Sequence, residues 1–450
     1  ADDVEDCDQH ENLQLRITAC SKLLQNPKLD QKSIIATRFN RAWAWSEKGM
    51  MDEAQAEYTT ILRLNPKHAN AYNNRGSGYR KLGRMNLAFA DFSSALEFDP
   101  EQPYALRNRA LMYFDRREFG KAIADFSKLI QVEPTHYDAY YRRGVARLEL
   151  GELELALSDF IRGEEVSPKS GYPHAGKARL YVLRKDNDRD LNAYTKAIAL
   201  TPSESEFYLG RGKEHFTALS FDKAMADFVR AVELAPKSAD ALFERGKMYN
   251  FLFSHNRDHK KAIADLDRVI EMEPKRHEAY YERASAYGWL ENRPKSVEDY
   301  SKAIELSPKT GAYYRGRSSA YGHQKKGDLA RADLTKAIEV EPLVAEFYGA
   351  RGSFLMELGK FEEALRDLDA ALKIEPKYTD YLISRMKVHR KLGNKENELT
   401  DLTKIVEVWP SNADYRNQRA WALFEMGRHA EALPEVQKSL SLKADSAYAL

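Results

Sequence analysis

The chain has 450 residues, 43% apolar and 31% charged, and its 70 basic against 69 acidic side chains leave a net charge of +1. Such a composition belongs to a folded, surface-rich protein rather than a disordered one. The near-neutral balance supplies no field favouring nucleic acid or an anionic membrane, and no apolar run reaches the roughly 18 residues of a spanning helix.

Residues 1–34 come first and stand apart, because they hold Cys7 and Cys20, the only cysteines in the chain. An isolated pair so close in sequence reads as a disulfide and hence an oxidising compartment. The competing reading is two reduced thiols in a cytosolic protein, with Cys20 filling an aromatic core place. Ala19-Cys20-Ser21-Lys22-Leu23-Leu24-Gln25 matches the pattern of Asp125-Phe126-Ser127-Lys128-Leu129-Ile130-Gln131 farther along. This segment is therefore expected to cap the N-terminal end of the region that starts at residue 35. The start at Ala1 suits a mature product after removal of a signal peptide, and equally a trimmed chain.

From residue 35 onward the chain repeats itself. Pro66, Pro100, Pro134, Pro168, Pro202 and Pro236 are 34 residues apart, and after one 38-residue step the series resumes at Pro274, Pro308, Pro342, Pro376 and Pro410. A fixed period of this kind means a stack of units that bury their apolar faces against one another. Within Ala345–Tyr378, Tyr348, Gly352 and Leu355 share one helical face, Gly359 interrupts, and Phe361, Ala364, Leu368 and Ala371 share a second. Pro376 then stops the second helix. Each unit is predicted to be a helix–turn–helix hairpin. Twelve start at residues 35, 69, 103, 137, 171, 205, 239, 277, 311, 345, 379 and 413, so that the array spans 35–446. Residues 447–450 begin a further helix that stops short, from which missing C-terminal residues or a continuing chain are expected.

These units resemble the tetratricopeptide repeat. Ala69–Gln102 supplies its pattern as Tyr72, Gly76, Tyr79, Ala88, Phe92, Ala95 and Pro100 at places 4, 8, 11, 20, 24, 27 and 32. The resemblance implies an all-α, right-handed superhelical solenoid that binds protein or peptide rather than performing catalysis. Together with the cysteine pair and the Ala start, it resembles secreted or periplasmic tetratricopeptide proteins of Gram-negative bacteria, with the cytoplasm as the alternative. Two places depart from the pattern: Asp190 and Glu398 replace the small residue at place 20, so the fifth and eleventh units are expected to pack more loosely. The seventh unit carries four extra residues within Asn250–Lys261, about one turn, by which a helix is expected to lengthen.

Place 7 is Arg in every unit but the fifth, and place 23 is Asp or Glu in every unit but the fifth, which has Lys177 and Ala193. Guanidinium forks suit carboxylates and ammonium groups do not. An internal ion-pair ladder is the preferred reading over an anion-binding surface, with Arg75–Asp91, Arg109–Asp125, Arg211–Asp227 and Arg351–Asp367 among its rungs. The family resemblance places a concave groove on the first helices. There Asn40, Asn74 and Asn108 recur at place 6 as a candidate ladder for a peptide backbone, or else as tolerated polar residues. Phe39, Trp43, Asn73, Ser77, Arg80, Leu111 and Phe114 would line the same stretch. The groove lacks the full carboxylate-clamp set of chaperone-binding members. His255, Asp258 and His259 have helical spacing but no further ligands, and read as a polar turn rather than a metal site.

No nucleophile–base pair or phosphate-binding loop is visible, so neither an enzyme nor a cofactor is expected. The function read from the sequence is a protein-interaction scaffold that binds a protein or extended peptide in the groove. Two rivals stand beside it. One is the arm of a larger enzyme or envelope assembly, such as a sugar transferase, whose catalytic part lies beyond residue 450. The other is self-association, the groove of one copy taking the end of another.

Overall fold

Why each hairpin turns where it does is set at two places of the repeat. At place 15 the chain adopts a left-handed conformation, supplied by Gly49, Gly83, Gly151, Gly359, Gly393 and Gly427. The same conformation is imposed on Arg117, Lys185, Leu219, Glu291 and Lys325. It reverses the chain after the first helix, and glycine adopts it without steric cost. At place 31 the backbone is extended, as at Asn65 (φ −140°, ψ 93°) and Asp99 (φ −138°, ψ 91°). The proline next in sequence disfavours the helical conformation there.

The computed structural model describes residues 3–8, 11–251 and 257–447, with side chains to residue 442. Among these residues all regular structure is helical, and contacts divide the chain into two compact units, Ala1–Leu234 and Ala235–Leu450. The first unit opens with α1 (Asp3–Asp8) and α2 (Leu13–Leu23). Its hairpins are α3 (Gln31–Glu47) with α4 (Met51–Leu64), α5 (Ala69–Lys81) with α6 (Met85–Phe98), and α7 (Pro103–Asp115) with α8 (Phe119–Val132). They continue as α9 (Tyr137–Glu149) with α10 (Leu153–Val166), α11 (Tyr172–Leu183) with α12 (Asn187–Leu200), and α13 (Ser205–Thr217) with α14 (Phe221–Leu234).

The second unit begins with α15 (Ala239–Asn250) and α16 (His259–Met272), then α17 (His277–Trp289) with α18 (Arg293–Leu306) and α19 (Gly311–His323) with α20 (Gly327–Val340). It closes with α21 (Ala345–Glu357) and α22 (Phe361–Ile374), α23 (Thr379–Leu392) and α24 (Lys395–Val408), and α25 (Ala413–Glu425) and α26 (His429–Ala447). The last helix runs through Ala444, which stands where the earlier hairpins have their proline, so nothing stops it. Of the expected further helix at 447–450, residues 448–450 lie outside the described residues.

The core of most hairpins is an aromatic or aliphatic side chain seated on small residues. Phe160 and Ala156 are fully buried, and a side chain placed on Gly144 would come within 2.5 Å of the Phe160 ring. Close approach of the two helices therefore depends on the small residue at place 8. In the cap, α2 packs on α3 as a second helix would, and Cys7 and Cys20 are buried and joined as a disulfide.

One expectation is corrected here. The four extra residues of the seventh repeat lengthen no helix: α15 ends at Asn250 and α16 has the usual 14 residues. Two local contacts fix those ends. The Asn250 amide donates to the Glu282 carbonyl at 2.8 Å, and Asp258 caps α16 by accepting from Lys260 N and Lys261 N. The insertion thus falls in the connection, of which 252–256 lie outside the described residues, His255 included.

Candidate functional site

Within each unit the first helices of successive hairpins pack on one another, α3 on α5 and α5 on α7, α9 on α11 and α11 on α13, then α15 through α23 by alternate helices. The second helices form no comparable row among the described residues. First helices therefore make the tighter, inner face of each run, α3 to α7, α9 to α13 and α15 to α23, and the side chains they present there share a surface within each run.

The basic row at place 7 does not lie open on that surface. Arg75 Nε donates to Asp91 at 2.7 Å, Arg109 Nε to Asp125 at 2.7 Å, Arg211 Nη2 to Asp227 at 2.8 Å and Arg351 Nε to Asp367 at 2.7 Å. Eleven repeats have the same pair, and its acid is buried in all but Glu435 of the last. The acid holds the Arg75, Arg109, Arg211 and Arg351 guanidiniums above their ordinary range, chiefly through these hydrogen bonds. The fork does more than close a hairpin. Its remaining nitrogen donates to place 25 of the preceding second helix, from Arg75 to Thr59 at 3.2 Å, Arg143 to Ser127 at 3.0 Å and Arg351 to Thr335 at 3.1 Å. One guanidinium thus ties three helices. This second reach is additional to the expected pairing, and Ser, Thr or Asp at place 25 of most repeats is its signal in the sequence. In the fifth repeat Lys177 turns instead to Glu164 of α10.

The asparagines of the first three repeats are engaged with protein groups. Asn40 donates to Asp8 of the cap, and Asn74 to the Tyr58 hydroxyl at 3.3 Å. Asn73 donates to Asn74 at 3.1 Å, and Asn108 to Asn73 at 3.0 Å and to Ser77 at 3.4 Å. The structure thus joins Asn73, Asn74, Asn108 and Ser77 in one chain of hydrogen bonds and sends Asn40 elsewhere. Phe39 packs against Tyr58 and His68, Trp43 lies under the Arg16 guanidinium of α2, and Phe114 meets Phe119. Ser77, Arg80 and Leu111 are half-buried on the first helices between them.

Farther along the same face, α9, α11 and α13 enclose a pocket of about 510 Å³. Val145, Leu148, Val182 and Leu183 give it apolar walls, and Glu149, Arg179, Lys213 and Glu214 its charges. Arg179 is paired with Glu206. Asp190 of α12 has no exposed surface, and neither carboxylate oxygen has a side-chain partner. Burial first, then Asp186 and Asp188, hold its pKa above the carboxylate range. Burial and then Asp190 do the same for Glu214. In the second unit, Asn250 bridges α17 and the His259 ring, which lies parallel to Trp289 at 5.7 Å. Burial pushes Glu282 beside it up to about 6.

A stack of helical hairpins whose first helices pack on one another defines a helical-repeat fold. Tetratricopeptide repeat models match residues 41–103, 107–171, 277–310 and 345–378. The chain belongs to the tetratricopeptide repeat proteins, whose arrays serve as non-catalytic platforms for other proteins. Among solved structures, a tetratricopeptide repeat protein from Parabacteroides merdae is 24% identical over 56% of this chain and 98% of its own, with a TM-score of 0.49. Yeast Tom70 is 16% identical over 92% and 93%, with a TM-score of 0.43. YrrB, described as a TPR protein with an unusual peptide-binding site, is 22% identical over 45% and 97%, at 0.35. Comparison with the curated proteins returns no match.

Proposed function

We propose that this protein is a non-enzymatic scaffold that holds a protein or extended peptide segment along its first-helix face. The observation that carries the reading is the row of first helices packed on one another, with half-buried side chains and an apolar-walled pocket along it. Alternating apolar walls and polar groups are what an extended chain needs for side-chain pockets and main-chain hydrogen bonds. In the first three repeats the contact set is Ser77, Arg80, Leu111 and Phe114, with Asn40, Asn73, Asn74 and Asn108 exchanging internal hydrogen bonds for bonds to the ligand backbone, and Phe39 and Trp43 at its edge. The buried Cys7–Cys20 disulfide supports work in an oxidising compartment, the periplasm or the exterior of the cell.

Selection of a random peptide library on the full chain tests the reading. Selected peptides should lose roughly tenfold or more in affinity on Leu111→Glu or Leu183→Arg, both on first helices. Leu155→Glu, at an exposed site on α10, should leave affinity unchanged. Failure to select any peptide, or an equal loss on Leu155→Glu, would refute it.

A further inference from the structure

Two repeats carry an acid where the others carry a small residue, and the fold treats them differently. In the eleventh, buried Glu398 accepts a hydrogen bond from Arg390 Nε at 2.6 Å, and Arg390 is place 12 of the same hairpin. In the fifth, place 12 is Val182, and Asp190 is left with no side-chain partner and no exposure. Val182 is also a wall of the pocket between α9, α11 and α13, as is Tyr194 of Asp190's own helix. So where the eleventh repeat supplies its own cation, the fifth has an apolar-walled pocket of about 510 Å³. Glu149 and Glu214 face the same space, and Glu214 lies close enough to feel the Asp190 charge. Arg179, which pairs with Glu206 and also feels Glu149, and Lys213 are the basic groups set against these three acids.

We propose that this pocket receives a lysine or arginine side chain of a polypeptide lying along the first helices, its head meeting Glu214 at the pocket wall and offsetting the charge of the buried Asp190. The inference rests on the groove-binding reading above and names the chemistry of one contact within it. Val145, Leu148, Val182 and Leu183 suit the aliphatic stem of such a residue, which buries readily while its head stays charged. A buried carboxylate without a partner is costly, and an incoming ammonium or guanidinium would relieve part of that cost through its charge while hydrogen bonding to Glu214. An acidic or purely apolar side chain would leave the acids unpaired.

The experiment uses the full chain and two variants. Asp190→Ala restores the residue that most repeats have at that place, so its fold is retained, as a circular dichroism melt would verify. Val182→Arg supplies from within the cation that the eleventh repeat has at place 12. Peptides from a random library selected on the wild-type protein should share one fixed Lys or Arg position. Replacing that residue by norleucine should weaken binding to wild type roughly tenfold to a hundredfold. The same replacement should change little on either variant. Peptides that lack a fixed basic position would overturn the inference while leaving the groove reading in place. So would a norleucine penalty that persists on both Asp190→Ala and Val182→Arg. If no peptide is selected at all, the groove reading falls and the inference with it.

Discussion

Asp367→Ala removes the acid from one rung of the arginine ladder and asks what such a rung is worth. Arg351 gives Asp367 two hydrogen bonds of 2.7 Å, and its third contact, to Thr335 at 3.1 Å, would survive. The guanidinium side chain keeps 21% exposure, against 9% for the acid. Breaking a fully buried pair costs about 3–5 kcal/mol, and an exposed one under about 1 kcal/mol. A cation one-fifth exposed recovers part of its hydration, so the expected cost is about 2–3 kcal/mol. Urea unfolding monitored by far-ultraviolet circular dichroism measures it, provided the m-value stays constant. Arg351→Met, and the double variant, complete a cycle. The double variant should be less destabilised than the sum by about 1–2 kcal/mol, because the second change removes an already orphaned charge. A cost under about 0.5 kcal/mol with an additive cycle would mean that water replaces the partner freely, and the ladder would then be decoration.

Reducing Cys7–Cys20, or replacing both by Ser, should speed amide hydrogen exchange in α1 and α2 by the equivalent of about 3 kcal/mol, with the later hairpins unaffected. Asp190→Ala should stabilise the protein at neutral pH by about 1–3 kcal/mol, since it deletes a buried unpaired carboxylate. The raised folded-state pKa sets the sign with pH: the penalty is complete above that value and vanishes below the unfolded one, so the advantage of Asp190→Ala should shrink on acidification in thermal melts. Leu219 holds φ 56° at the turn and is 73% exposed, so Leu219→Gly should raise stability by about 0.5–1 kcal/mol, read as a higher Tm.

The helices and their pairing are readable because period and pattern agree. Pro at place 32 and a small residue at place 8 each act through the backbone within a few residues, and such local constraints leave a mark in sequence. Arg at place 7 and its acid at place 23 vary together in the fifth repeat, and the Arg75 and Asp91 side chains stand 2.7 Å apart. What the sequence hides is direction. Asn74 looks like a free groove amide, yet it meets Tyr58 of the previous hairpin, a contact set by the angle between hairpins rather than by spacing. The pocket beside Val182 is likewise invisible, because its walls come from three first helices about 34 residues apart in the repeat and from Tyr194 of a second helix. The four-residue insertion is ambiguous in sequence because one turn of helix and one longer loop have the same length.

The fifth hairpin also differs mechanically from its neighbours. Elsewhere an arginine pins a first helix to its own second helix, and directional bonds resist sliding of one rod along the other. Between α11 and α12 there is no ion pair among the described residues; Ala178, Tyr194 and Ala197 supply apolar contact, and the Arg189 guanidinium lies over the Tyr181 ring at 5.8 Å. Apolar contact is non-directional and a cation over a ring is weaker than a bidentate ion pair, so shear along that seam should meet less restoring force than in the neighbouring hairpins. Under load the fifth hairpin should then be the more compliant element of its stack, and a guest lodged beside Val182 would feel a wall that yields on one side and stands firm on the other.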